Sequence, residues 1–168
     1  DQNKALALLE RAAIQSDAFV QRTAWMAYIN KNLAIHDPAK ACEKARAWAR
    51  NPQPETDLPI DNEFFKNTGD CLMGVFRLPG TPSHSPDDND AKLARNLYMR
   101  VAQAGDPLGY YRIGYISERG LGPWPKDMAE AREFYEKCAA ADLLQCKARL
   151  GIFKEFGWAG EQEDKAGA

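Results

Sequence analysis

The sequence predicts an all-α protein, a solenoid of about four helical hairpins. Three observations carry this. Alanine occurs 26 times in 168 residues, against 14 for Val, Ile and Thr together, a balance that favours helix over strand. Helix-capping residues and Gly or Pro breaks recur at regular intervals along the chain. Residues 90–120 reappear, in outline, 37 positions later, and self-similarity of that period marks a stacked repeat.

The elements follow in order. Lys4 to Ile14 places Leu6, Leu9 and Ala13 on one helical face. Asp17 is a cap for a second helix bearing Phe19, Val20, Trp25, Met26 and Ile29. Asp37-Pro38 reads as an N-cap followed by Pro at the first helical position, where its missing N–H costs nothing. The helix after it, Ala39 to Arg50, has an Ala-rich stripe and Trp48, and Pro52, Pro54 and Pro59 then impose a linker. A helix from Asp61 to about Phe76 contains Gly69 and Gly74, followed by a Pro-rich loop from Arg77 to Asp88. The next helix is expected to start near Asp90 and end near Ala104-Gly105. Asp106-Pro107 opens another that ends near Gly120. Asp127 with Glu130, and Asp142 with Gln145, resemble capping boxes for the last two helices, the second ending near Gly157.

Within the repeat, Asp90 maps to Asp127, Ala94-Arg95 to Ala131-Arg132, Tyr98 to Tyr135, Ala102 to Ala139 and Ala104 to Ala141. Arg112 maps to Arg149, Gly114 to Gly151, Glu118 to Glu155 and Gly120 to Gly157. Ten identities fall within a 31-residue span, where random matching would give roughly two. Asp164, Ala166 and Ala168 continue the spacing from Asp127, Ala129 and Ala131, as if a further helix were starting. A lone helical hairpin cannot bury its apolar stripe, so hairpins stack. Ala94, Ala102, Ala131 and Ala139 suit short helix separations. Gly114 and Gly151 sit mid-helix, where a side chain is expected to clash with a neighbouring helix, and Tyr98 and Tyr135 fill the wider gaps.

The residues Ile113-Gly114, Gly120-Leu121-Gly122, Lys126-Asp127, Ala131, Phe134-Tyr135 and Ala139-Ala140 together resemble a Sel1-like repeat. The preceding repeat keeps Met73-Gly74, Asp90, Ala94, Leu97-Tyr98 and Ala102 but has a longer loop without the Gly-x-Gly; the following one offers Leu150-Gly151 and Gly157. The resemblance implies a right-handed α-α superhelix related to tetratricopeptide repeats. It covers residues 61–168, while residues 1–60 match as degenerate helical hairpins of the same continuous solenoid.

Cys42, Cys71, Cys138 and Cys146 allow three pairings. In an antiparallel helix pair, residues equidistant from the turn lie opposite one another. Cys138 and Cys146 are symmetric about position 142, and Cys42 and Cys71 about the Pro-rich linker. Each pair can therefore meet the Cα separation of roughly 5.5 Å that a disulfide needs. Two bridges imply an oxidising compartment, periplasmic or secreted, and some secreted Sel1-like proteins resemble this in bracketing the same turn with Cys pairs. The chain starts at Asp1 rather than Met, as expected if a leader was removed or the chain was trimmed; no signal peptide is visible in it.

Net charge is −2, from 22 Lys and Arg against 24 Asp and Glu, which argues against a nucleic-acid clamp. No apolar run approaches the roughly 18 residues of a membrane span. His36 and His84 are expected as exposed loop residues without a catalytic neighbour. No nucleophile elbow, phosphate loop, dinucleotide fingerprint or zinc spacing occurs, so no catalytic residue, metal or cofactor is assigned. Asp87-Asp88-Asn89-Asp90 lacks the ligand spacing of a calcium loop and is read as helix capping. Trp124 and Trp158 are read as lids over core ends.

What remains is surface. Tyr110, Arg112 and Tyr115, with Lys147 and Arg149 in the same repeat register, exceed what one buried stripe needs, and Tyr and Arg are favoured at protein interfaces. They are the candidate partner-binding strip, weighed against surface pairing of Arg112 and Arg149 with Glu118 and Glu155. The expected function is a non-catalytic, exported protein-binding solenoid. Its concrete form, implied by the resemblance, is a periplasmic immunity protein occluding a bacterial toxin. A cell-envelope scaffold with several partners, and a hydrolase with a cryptic site, are the alternatives.

Overall fold

The computed structural model describes residues 4–5, 7–8, 11, 18–30, 32, 36–50, 62–74 and 84–158. Among them are seven helices longer than a turn and no strand: α1 (Ala18–Ile29), α2 (Pro38–Arg50), α3 (Asn62–Met73), α4 (Asp88–Gln103), α5 (Leu108–Arg119), α6 (Met128–Ala140) and α7 (Leu144–Glu155). Residues 4, 5, 7, 8 and 11 are also helical and exposed. The rest of the first expected helix, the Asp17 cap and the Pro52–Pro59 linker lie outside the described residues. The chain forms two compact units, Asp1–Ser85 and Pro86–Ala168.

In the first unit α1 packs on α2 and α2 on α3. The Asp37 carboxylate accepts from the Lys40 N–H at 3.0 Å, so the Asp-Pro start holds. The core is aromatic. Trp25 and Trp48 meet Phe64 edge-on, with ring centres 5.2 and 4.9 Å apart, an arrangement that aligns ring edges with ring faces. Cys42 and Cys71 are bridged, with Cα atoms 5.2 Å apart, tying α2 to α3.

Two expectations for this unit are corrected. The helix expected to reach Phe76 ends at Met73, because Gly74 turns left-handed at φ +64° and donates back to Asp70 O. His84 is not a bare loop residue. It is half-buried, with Nε2 3.1 Å from Leu72 O and Nδ1 3.4 Å from an Arg46 nitrogen, and a Cβ on Gly74 would lie 2.4 Å from His84 Nδ1. Arg46 Nε also donates to Cys71 O at 3.0 Å. The loop end is thus tied to the disulfide turn through the histidine ring, which needs glycine beneath it.

The second unit holds two antiparallel hairpins, α4–α5 and α6–α7, with α5 packed on α6. The 37-residue repeat holds at the hairpin turns: Ala104 and Ala141 end equivalent helices, and Gly120 and Gly157 turn left-handed at φ +63° and +62°. It slips at the helix starts. Asp87, not Asp90, caps α4, accepting from the Asp90 N–H at 2.7 Å, as Asp127 caps α6 through the Glu130 N–H at 2.9 Å. The first helix is therefore nearly one turn longer in the earlier repeat, and Asp90 is buried within it. Asp142 is likewise no cap. It takes the left-handed conformation at φ +63°, Leu143 occupies the cap position, and the Asp142 carboxylate pairs with Lys147.

The glycines of the repeat also diverge. A Cβ on Gly114 would sit 2.7 Å from Tyr135 Cε1 and 3.2 Å from Ala131 O, as expected of a close helix crossing. A Cβ on Gly151 meets nothing within 4 Å, so the expected clash is absent there. The reason is positional: α6 lies over Gly114, while no described element lies over Gly151. Below this crossing Ala131, Tyr135, Cys138, Cys146 and Phe153 form one buried cluster, closed by the Cys138–Cys146 bridge with Cα atoms 6.0 Å apart.

Candidate functional site

The five residues of the expected strip all lie on α5 and α7 of the second unit. On α5, Tyr111, Arg112, Tyr115 and Arg119 follow helical spacing along one face, flanked by Tyr110. All but the exposed Arg119 are half-buried. The Tyr115 ring is bracketed by two guanidiniums, Arg119 at 5.5 Å and Arg149 at 5.8 Å from its centre, within cation–π range. Arg112 lies 5.8 Å from the Tyr111 ring. Tyr110 stacks on Phe134 with centres 6.2 Å apart. The structure thus brings Tyr115 and Arg149 together and sets Tyr110 and Arg112 beside them. Lys147 is exposed and held by Asp142.

Beneath this face runs a buried polar chain. The Tyr135 hydroxyl donates to Glu118 Oε2 at 2.7 Å, and Arg149 reaches Glu118 Oε1 at 3.4 Å. Arg149 therefore pairs with Glu118 across 31 residues, not with Glu155 of its own helix. Burial pushes the Tyr135 hydroxyl well above its ordinary pKa, and hydrogen bonding to the Glu118 carboxylate pushes it further. Burial works against the charge on Arg149, but the Glu118 carboxylate outweighs it and raises the guanidinium's pKa. The carboxylate is shared by α5, α6 and α7, so this network fixes the helices that present the strip.

A second charged pair supports α6. Arg95 pairs with Glu130, Ser117 Oγ donates to Glu130 Oε2 at 2.6 Å, and the Arg95 guanidinium lies 5.0 Å from the Trp124 ring centre. Partial burial raises the Glu130 pKa, but the Arg95 and Ser117 hydrogen bonds and the Arg95 charge outweigh it and hold the carboxyl below its usual range. The Glu130 side chain is thus turned to α4 and α5 rather than closing the capping box.

Sequence reasoning missed Tyr111, Glu118 and Arg119 as members of the site. The spacing 111–115–119 was there to be read; the link from Glu118 to Tyr135 and Arg149 is tertiary and leaves no local signal. No group of three or more metal-ligating side chains occurs among the described residues. Nor is any helix among them long and apolar enough to cross a membrane.

No protein-family model matches the sequence, and no curated protein matches it. Solved structures do match. One is a Sel1 repeat protein from Oxalobacter formigenes, at TM-score 0.59 and 21% identity over 98% of this chain. Another is a protective antigen present in uropathogenic Escherichia coli strains displaying an SLR fold, at TM-score 0.59 and 19% identity over 98% of this chain. The chain has the Sel1-repeat fold. It spans 59% and 31% of the length of those two chains.

In the Sel1-repeat fold the residues that carried the resemblance have mechanical roles. Gly114 admits Tyr135 of the next helix, and a Cβ on Gly122 would meet Ala91 Cβ at 2.3 Å, so the inter-helix loop rests directly on α4. Ala131 and Tyr135 are fully buried between hairpins. Trp158 covers the far end of the cluster, its ring centre 5.5 Å from that of Phe153. None of these groups is free for chemistry, which leaves the α5–α7 face as the candidate site.

Proposed function

We propose that this chain is an exported, non-catalytic helical-repeat protein that binds another protein through the face formed by Tyr110, Arg112, Tyr115, Lys147 and Arg149. The carrying observation is Tyr115 held between the Arg119 and Arg149 guanidiniums. An aromatic ring fixed by charged neighbours loses little freedom on binding and offers both apolar area and hydrogen-bonding groups, the profile of an interface anchor. Export is supported by the two bridges, which persist in oxidising compartments. It is also supported by the fold shared with a protein described as a protective antigen. The concrete form of the reading is a periplasmic immunity protein whose α5–α7 face covers the working surface of a toxin.

The test compares wild type with a Tyr115→Ala, Lys147→Glu double variant, immobilised against periplasmic and secreted fractions of the source organism. Neither change touches the Glu118 network, so the variant should melt within a few degrees of wild type. Wild type should retain one dominant protein with nanomolar affinity, and the variant should lose at least about 2 kcal/mol of that binding. Equal retention by both would reject this face. Weak binding of several proteins would favour the scaffold reading over the antidote.

A further inference from the structure

The repeat itself identifies a second surface, independent of the strip just described. On α5, three residues cradle Tyr135 of α6. Its ring lies 6.0 Å from that of Tyr111, a Cβ on Gly114 would meet it, and Glu118 accepts its hydroxyl. The positions 37 residues later on α7 are Ala148, Gly151 and Glu155, with two of the three identities, glycine and glutamate, preserved. On α5 this cradle is filled. On α7 all three residues are exposed, nothing among the described residues lies within 4 Å of a Cβ on Gly151, and Leu144, one turn before Ala148, is 74% exposed.

We propose that the Leu144–Ala148–Gly151–Glu155 face of α7 is a docking site for an α-helix of another polypeptide. That helix carries a small residue and, four positions later, a tyrosine whose hydroxyl donates to Glu155. The molecule supplies the template for the occupant in Ala131 and Tyr135 of α6, which make this contact on α5. Charge extends the match. Lys154 stands at the position of Ser117, which donates to Glu130 immediately before Ala131, so an acidic residue just before the small one is favoured. A second copy cannot offer such a helix from α4 or α6, because Ala94, Tyr98, Ala131 and Tyr135 are all fully buried. The occupant is therefore a foreign helix rather than a copy of either.

The probe is a synthetic peptide with the sequence of residues 126–141 and Cys138 replaced by Ser, titrated into the full 168-residue chain. Saturable binding is expected. Tyr135→Phe in the peptide should weaken it about tenfold, and Glu155→Gln in the chain should do the same without adding to it, since both remove one charge-assisted hydrogen bond. Gly151→Leu in the chain should abolish binding. Both chain substitutions are on an exposed face, and unchanged far-ultraviolet circular dichroism and melting temperature confirm the fold. Absence of saturable binding at millimolar peptide, or binding that survives Gly151→Leu, overturns the proposal. Self-association of the chain that Gly151→Leu removes overturns it in favour of a second copy.

Discussion

Gly114 and Gly151 occupy one position in successive repeats and have opposite surroundings, so the same substitution should have opposite signs. Gly114→Ala drives a methyl group into the Tyr135 ring and the Ala131 carbonyl, and such overpacking costs about 1–3 kcal/mol. Gly151→Ala adds a methyl group in open space and should stabilise by about 0.5–1 kcal/mol through helix propensity. Urea titrations of both variants measure this, and equal signs would contradict the described packing. Tyr135 makes a second prediction at this scale. Its folded pKa is raised, by burial first and then by Glu118. The stability it contributes is therefore fully present below the unfolded tyrosine value near 10 and lost as pH rises above it, by up to about 1.4 kcal/mol per unit. Tyr135→Phe should cost about 1–3 kcal/mol at neutral pH, through a Glu118 oxygen left without its donor, and should flatten the alkaline decline relative to wild type.

Among the elements, helix bodies were legible in the sequence and their starts less so. The Ala-rich composition and the Gly120 and Gly157 stops gave α4 to α7 within a few residues, because a helix body is a sum over many weak preferences. A cap is a single hydrogen bond that any of several aspartates can make. With Asp87, Asp88 and Asp90 all available, the 37-residue alignment chose Asp90, whereas the chain gains nearly a full turn by capping with Asp87. Asp142 misled for a related reason: the short turn between α6 and α7 needs a left-handed residue, and aspartate tolerates that role as well as capping. The site was half legible. Tyr115 and Arg149 are visible as surplus polar residues, but their mutual contact and the Glu118 link depend on how hairpins stack. A cap test separates these roles. Asp87→Ala and Asp127→Ala should each destabilise by about 1 kcal/mol. Asp142→Gly should be neutral or stabilise by up to about 1 kcal/mol, because relief at φ +63° offsets an exposed Lys147 pair worth little. Thermal melts of the three variants decide, and a loss for Asp142→Gly as large as for the other two would restore Asp142 as the cap.

At the scale of the molecule, each compact unit carries one disulfide joining neighbouring helices, and all four cysteines are buried. The bridges act mainly by restricting the unfolded chain, and the longer loop restricts more. Cys42–Cys71 spans 29 residues and Cys138–Cys146 spans 8. Replacing the first pair by alanine should therefore cost about 3–4 kcal/mol and the second about 2–3 kcal/mol. The first loss falls on the unit where Arg46 and His84 also gather at the Cys71 turn, so it should loosen that turn as well. Because the sulfurs are sheltered, reductant should act at the rate of local opening rather than of thiol exchange. Native protein from an oxidising compartment should show no alkylatable thiol and an intact mass four hydrogens below the thiol form. Should protein made under reducing conditions carry four free thiols and yet unfold at the same denaturant concentration, the bridges would contribute nothing to the fold, and the argument that this chain works outside the cytosol would lose its physical basis.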